Sequence, residues 1–248
     1  MKGNKMDGRQ KVLNYCFLGD SITEGVGVNV GERYFDILSE NLGLNAFGFG
    51  FNGATAQDVL SEIDKMEQKL GKAVDLVSVF VGTNDFYSNV PLGEFFTQTE
   101  ETVCVVKDDF GNPVKTEIRK KRGFNFDEST FCGRLNKIFN KLRKDYPFAD
   151  FIVMTPLHRA FATFGNDNIQ YDELYSNGIG LFIEDYVNAV RRCADIWAIK
   201  LIDLYKESGL FPLNDETAKE YFANVNTDRL HPNKNGHKKL AKAIEKYL

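Results

Sequence analysis

The chain has 248 residues, with 31 Lys and Arg against 35 Asp and Glu, giving a formal net charge of −4. That balance argues against a nucleic-acid partner, since such affinity comes largely from neutralised phosphates and the basic run Arg119 to Arg122 stands almost alone. With 43% hydrophobic and 27% charged residues the composition is that of a globular protein with a real core.

The elements follow in order. Val12 to Leu18 reads as a strand, Arg33 to Leu42 as a helix, Leu44 to Phe49 as a strand, Ala56 to Leu70 as a helix and Leu76 to Val81 as a strand. From Glu94 to Asn125 the chain turns polar. There Thr102 to Val106 and Val114 to Ile118 flank Asp109-Phe110-Gly111-Asn112-Pro113, the pattern of an inserted β-hairpin. Glu128 to Arg143 is helical and Phe151 to Met154 a strand, followed by a second insertion, Leu157 to Gly178, expected as a loop on a ligand-binding rim. Leu181 to Ala198 is a helix and Leu201 to Leu204 a short strand. A surface helix closes the chain over Lys238 to Leu248, with Leu240, Ile244 and Leu248 on one face. This alternation predicts an α/β fold, a parallel sheet with helices on both faces. No repeat or linker interrupts it, so residues 1–248 read as one domain with insertions at about 94–125 and 157–178.

No apolar run approaches the roughly 20 residues needed to span a bilayer, so no membrane association is expected. Met1 to Lys11 is polar, without the apolar stretch of a secretory signal. The sequence as given therefore reads as cytoplasmic, and as extracytoplasmic if residues precede Met1. Cys16, Cys104, Cys132 and Cys193 are widely spaced and read as buried thiols, and His158, His231 and His237 are too scattered for a metal site. Neither a metal nor an organic cofactor is expected.

In an open parallel sheet, ligands sit beyond the carboxyl ends of the strands. The first strand is followed by Gly19-Asp20-Ser21-Ile22-Thr23, the second by Gly50-Phe51-Asn52-Gly53-Ala54-Thr55 and the third by Gly82-Thr83-Asn84-Asp85. Ser21 sits in a strand-to-helix turn where a hydroxyl is exposed and backbone N–H groups point outward. Alone, a serine there is usually a helix cap. Near the end of the chain, Asp228-Arg229-Leu230-His231-Pro232 places a carboxylate three residues before an imidazole, on a loop. Asp228 can fix the tautomer of His231 so that the other ring nitrogen takes the serine proton. The N–H groups of Ser21 and Gly53 and the Asn84 amide then form an oxyanion hole.

These four blocks resemble those of the GDSL/SGNH hydrolase family in order and spacing. The resemblance implies a three-layer α/β/α, flavodoxin-like sheet of five parallel strands, and a serine esterase of the acylhydrolase type. It makes Ser21, Gly53, Asn84 and His231 the signature residues, with Asp228 completing the triad. The two insertions lie outside the family's minimal pattern.

Gly48-Phe49-Gly50-Phe51-Asn52-Gly53 also matches a dinucleotide-binding glycine motif, but no acidic residue ends the following strand, so the context fails. The lipase elbow G-x-S-x-G is absent around Ser21. His158 and Arg159, after the fourth strand, and Asp20 and Asp85, flanking the site, are candidate substrate contacts. A rim with Asn166, Asp167, Asn168, Gln170, Tyr171 and Asp172 suits a hydroxylated substrate, so the expected partner is a small-molecule ester, an acetylated sugar. Lysophospholipid or thioester hydrolysis is the alternative within the enzyme class, and a binding module on the same fold the alternative outside it. In either case the hairpin is a candidate arm for a homodimer.

Overall fold

The structure is a computed structural model that describes residues 12–248. Its framework is a five-stranded, all-parallel sheet: β1 (Asn14–Gly19), β2 (Asn45–Gly48), β3 (Leu76–Phe80), β6 (Asp150–Met154) and β9 (Lys200–Ile202), in the order β2-β1-β3-β6-β9. That is the doubly wound order in which the chain reverses direction across the sheet at β1 and β3.

Strand residues alternate between two cores because successive side chains point to opposite faces. Cys16, Leu18, Val77, Val79, Phe151 and Val153 face α3 (Val59–Leu70), α5 (Phe131–Asp145) and α6 (Ile183–Trp197). Phe17, Leu76, Phe80, Ile152 and Met154 face α2 (Tyr34–Leu42) and α9 (Lys234–Glu245). Burying each such aliphatic or aromatic side chain stabilises the fold by roughly 1.5–3 kcal/mol before entropy is counted, so both faces are needed to hold the sheet. Two short helices sit at its carboxyl edge, α1 (Ser21–Glu24) after β1 and α4 (Thr83–Tyr87) after β3.

The first insertion is the expected hairpin, with longer strands than the sequence pattern gave. β4 (Phe96–Lys107) and β5 (Pro113–Phe124) pair antiparallel with each other, opposite no other strand among the described residues. Its base is fixed to the body, where Phe124 stacks on Trp197 at 4.6 Å and Asn136 Nδ2 donates to the carbonyls of Phe95 and Asn125.

Several expectations need correction. The second insertion is not only a loop: β7 (Ala162–Thr163) and β8 (Ile169–Gln170) join β10 (Phe222–Asn224) and β11 (Asp228–Pro232) in a small sheet ordered β10-β11-β7-β8. Asp228 and His231 thus lie on a strand, not a loop. The strand expected over Leu201 to Leu204 ends at Ile202, because Asp203 caps α7 (Leu204–Glu207) through the Lys206 N–H. A further helix, α8 (Asp215–Tyr221), precedes β10. The last helix begins at Lys234, four residues before the expected start at Lys238, because the Asn233 side chain accepts from the N–H groups of Asn235 and Gly236. Cys104, expected buried, is exposed on the hairpin; Cys16, Cys132 and Cys193 are buried and all four are free. Among the described residues no helix is long and apolar enough to cross a membrane.

Candidate active site

At the carboxyl edge of the sheet, Ser21 is the first residue of α1 and only 5% exposed. The turn that presents it demands Gly19, since a Cβ there would stand 2.6 Å from the Phe80 carbonyl oxygen. Asp20 caps the helix, its Oδ1 accepting from the Ile22 N–H at 3.0 Å. Behind the turn, Glu62 of α3 reaches up with Oε2 to accept the Gly19 N–H at 2.8 Å. This carboxyl is fully buried, its Oε1 has no partner among the described residues, and burial pushes its pKa up to about 8.

His231 arrives from β11. Its Nε2 lies 2.9 Å from Ser21 Oγ and its Nδ1 2.9 Å from Asp228 Oδ2. On a regular strand, residues three apart point to opposite faces. Here Asp228 Oδ1 accepts the N–H groups of Leu230 and His231 at 3.1 and 3.0 Å, and that local turn brings the two side chains together. Burial alone would raise the Asp228 pKa. The His231 side chain and the two backbone N–H groups outweigh it, holding the carboxyl below its ordinary value and anionic at neutral pH.

Two loops complete the cleft. Gly53, after β2, has φ +80°, a conformation L side chains rarely adopt, with open space where a Cβ would be. The N–H groups of Ser21 and Gly53 are bonded to no other group among the described residues. Asn84, in α4, donates from Nδ2 to the Ala54 carbonyl at 2.9 Å, which fixes the amide and leaves its second N–H hydrogen unused. Ser21, Gly53, Asn84 and His231 line one cavity of about 360 Å³. A hydroxyl, imidazole and carboxylate in line, beside converging N–H donors, can transfer a proton and hold a developing oxyanion.

The sequence model of the GDSL-like lipase/acylhydrolase family matches residues 17–239. The chain belongs to that family. As a member it is an enzyme of the carboxylic ester hydrolase class. A crystal structure 25% identical, with 95% of each chain covered, superimposes at a TM-score of 0.72. A possible lipase from Chitinophaga pinensis DSM 2588 is 24% identical at TM-score 0.67, covering 95% of this chain and 97% of its own. An acetyl xylan esterase is 23% identical at TM-score 0.60, covering 95% of this chain and 100% of its own. At these identities the last two show the shared fold. No curated protein matches the sequence.

None of the four candidate substrate contacts, Asp20, Asp85, His158 and Arg159, lines the Ser21 cleft itself. Asp20 and Asp85 are 2% and 0% exposed and stand behind the cleft wall, bracing backbone. Asp85 accepts from the Ala56 N–H at 2.8 Å and pairs with Arg134 Nη1 at 2.9 Å. Burial pushes the pKa of each up to about 6. His158 does not line the cleft: it stacks on Tyr205 at 3.7 Å and its Nδ1 contacts Glu173 Oε1 at 2.6 Å. Arg159 is buried and lines a neighbouring cavity. Conversely, Phe164, Tyr87 and Leu230 form cleft wall that sequence reasoning did not single out, Phe164 packing on the His231 ring at 5.5 Å. Glu62 was also missed, although it interrupts the inward stripe of Val59, Ile63 and Met66 in α3 with a charge.

Proposed function

We propose that the protein hydrolyses short acyl esters, acetyl groups on a carbohydrate in particular, through an acyl-enzyme on Ser21. The observation that carries this is the line from Ser21 Oγ through His231 to Asp228, at 2.9 Å for each step, inside a cleft lined by donors.

Asp228 accepts a hydrogen bond from Nδ1–H of His231, which leaves Nε2 unprotonated toward Ser21. As Ser21 Oγ attacks the ester carbonyl, Nε2 takes its proton, and Asp228 stabilises the imidazolium that forms. The carbonyl oxygen, now negative, accepts from the N–H groups of Ser21 and Gly53 and from the free hydrogen of the Asn84 amide. The imidazolium then gives its proton to the departing alkoxide. A water, deprotonated by His231, attacks the acyl-enzyme, and collapse of the second tetrahedral intermediate releases the acid and restores Ser21. The chain's own residues supply every proton transfer in this scheme.

The walls favour a hydroxylated substrate. Asn52, Asn84, Ser88, Asn168 and Gln170 face a cleft whose apolar contribution comes from Val26, Phe164 and Leu230. Such a lining suits hydroxyl groups and a small acyl group better than a long chain, which requires a continuous apolar groove. The fold shared with an acetyl xylan esterase supports the same chemistry. The test is hydrolysis of p-nitrophenyl acetate, butyrate and octanoate and of an acetylated xylo-oligosaccharide. Rates that fall with acyl length, together with release of acetate from the sugar, are expected. A preference for octanoate would move the substrate to lipid-like esters.

A further inference from the structure

A second cavity, about 220 Å³, adjoins the Ser21 cleft. The two share Tyr87 and Gln170. Asn168 ties these side chains into a ridge, its Oδ1 accepting from Tyr87 Oη at 3.0 Å and from Gln170 Nε2 at 3.1 Å. Beyond the ridge the wall is aromatic, with Phe86, Tyr171 and Tyr175; the last two are exposed and their rings lie 5.1 Å apart.

The same wall contains Arg159, which is 1% exposed. Its side-chain partners are neutral. Nη1 donates to the Thr83 carbonyl at 3.4 Å and Nη2 to Gln170 Oε1 at 2.5 Å, the Phe86 ring lies 5.2 Å from the guanidinium carbon, and Nε has no hydrogen-bond partner among the described residues. Among the described residues no carboxylate forms an ion pair with this guanidinium. Glu173, whose charge acts on it most, gives its oxygens to His158 Nδ1 and to the backbone N–H of Arg159. Burial lowers the Arg159 pKa to about 10, so the group stays charged at neutral pH. A buried cation with unused donors and only neutral hydrogen-bond partners is stabilised further by an anion that accepts from it.

We propose that this cavity is a subsite for a carboxylate-bearing sugar unit, a hexuronate, adjacent to the acylated unit held at Ser21. The proposal rests on the esterase reading and narrows its substrate to acidic saccharides. A saccharide crossing the Tyr87 ridge places its acid on Arg159 and its ring against Tyr171 and Tyr175. Because Nη1 also holds the Thr83 carbonyl, one residue before Asn84, the anion binds beside the turn that carries an oxyanion donor. Asp172, the one carboxylate on the wall among the described residues, opposes the anion; its Oδ1 accepts from the Leu174 N–H.

The experiment compares kcat/KM for an acetylated oligosaccharide containing a hexuronate with that for the same compound as its carboxyl methyl ester. The wild type is expected to prefer the acid by about tenfold or more, as a charge-assisted hydrogen bond predicts. Arg159→Gln should bring the ratio to about one, and Asp172→Asn should raise it. Each ratio is taken within one protein, so a loss of folded enzyme does not imitate it. A wild-type ratio of one, or a preference for the methyl ester, overturns the subsite. Inhibition by glutarate as strong as that by the deacetylated acidic saccharide overturns its assignment to a sugar. If the protein cleaves neither these compounds nor p-nitrophenyl acetate, the esterase reading fails by itself. Calorimetric binding of the deacetylated acid and its methyl ester to Ser21→Ala then decides the subsite: tighter binding of the acid upholds it and equal binding overturns it.

Discussion

The carboxylate of Asp85 accepts the N–H of Ala56 at 2.8 Å, so the loop after β2 and the turn after β3 are joined through a side chain with no solvent exposure. Gly53 lies three residues before Ala56, and Asn84 immediately before Asp85. The spacing between the two proposed oxyanion donors is thereby tied to one buried group, and Arg134 Nη1, 2.9 Å from the other carboxylate oxygen, supplies its counter-charge.

Removing Arg134 should therefore cost more than a surface ion pair would. Arg134→Ala leaves Asp85 buried without its cation, and unfolding in urea should show a loss of about 3 kcal/mol or more. The double variant Arg134→Ala, Asp85→Asn should recover part of that loss. Equal stability of wild type and Arg134→Ala would show that the pair does not brace the loops.

Asn84→Ala removes the proposed side-chain oxyanion donor and the bond to the Ala54 carbonyl. The expected result in steady-state kinetics on p-nitrophenyl acetate is a fall in kcat of about 10²–10³, with KM changed much less. A fall confined to KM would assign Asn84 to substrate binding instead.

Asp228→Asn keeps the shape but loses the charge that, in the proposed mechanism, stabilises the imidazolium and selects the tautomer. A drop in kcat of up to about 10⁴ is expected. Retention of wild-type kcat would remove Asp228 from the mechanism.

Glu62 gives the protein a signature in pH. Its folded pKa, about 8, stands above the ordinary 4.5, so the native state holds the extra proton across that interval. Stability from this group is full below about pH 4.5 and is lost as pH rises through 8. His237, lowered by burial to about 4 from 6.5, works in the opposite sense between those two values, adding stability as pH rises. Above pH 6.5 the Glu62 contribution stands clear of it. The melting temperature should decline from pH 6.5 to 8, and Glu62→Gln, which keeps an acceptor for Gly19, should flatten the decline. An unchanged slope in the variant would contradict the assignment.

The sequence reveals most where chemistry and topology coincide. Ser21, Gly53 and Asn84 each follow a β-strand of the parallel sheet, so their residue types and positions announce a shared edge before any coordinates exist. Asp228 and His231 are legible as a pair, but not as part of β11, because β7 and β8 are two residues each and become strands only by pairing. Two residues carry no periodicity. Asp20 and Asp85 look like site carboxylates in the sequence since they flank Ser21 and Asn84; their burial behind the wall is a tertiary fact. Glu62 was readable as a charge on an apolar helix face. Its partner, the Gly19 N–H, lies 43 residues away, and no local pattern connects them.

Covalent trapping tests whether Ser21 is the nucleophile. The protein is treated with a fluorophosphonate and the adduct located by peptide mass spectrometry. A single adduct on Ser21 is expected, absent in Ser21→Ala, formed far more slowly in His231→Ala, and accompanied by complete loss of ester hydrolysis. An adduct on another residue, or a Ser21→Ala protein that hydrolyses p-nitrophenyl acetate as fast as wild type, would contradict it.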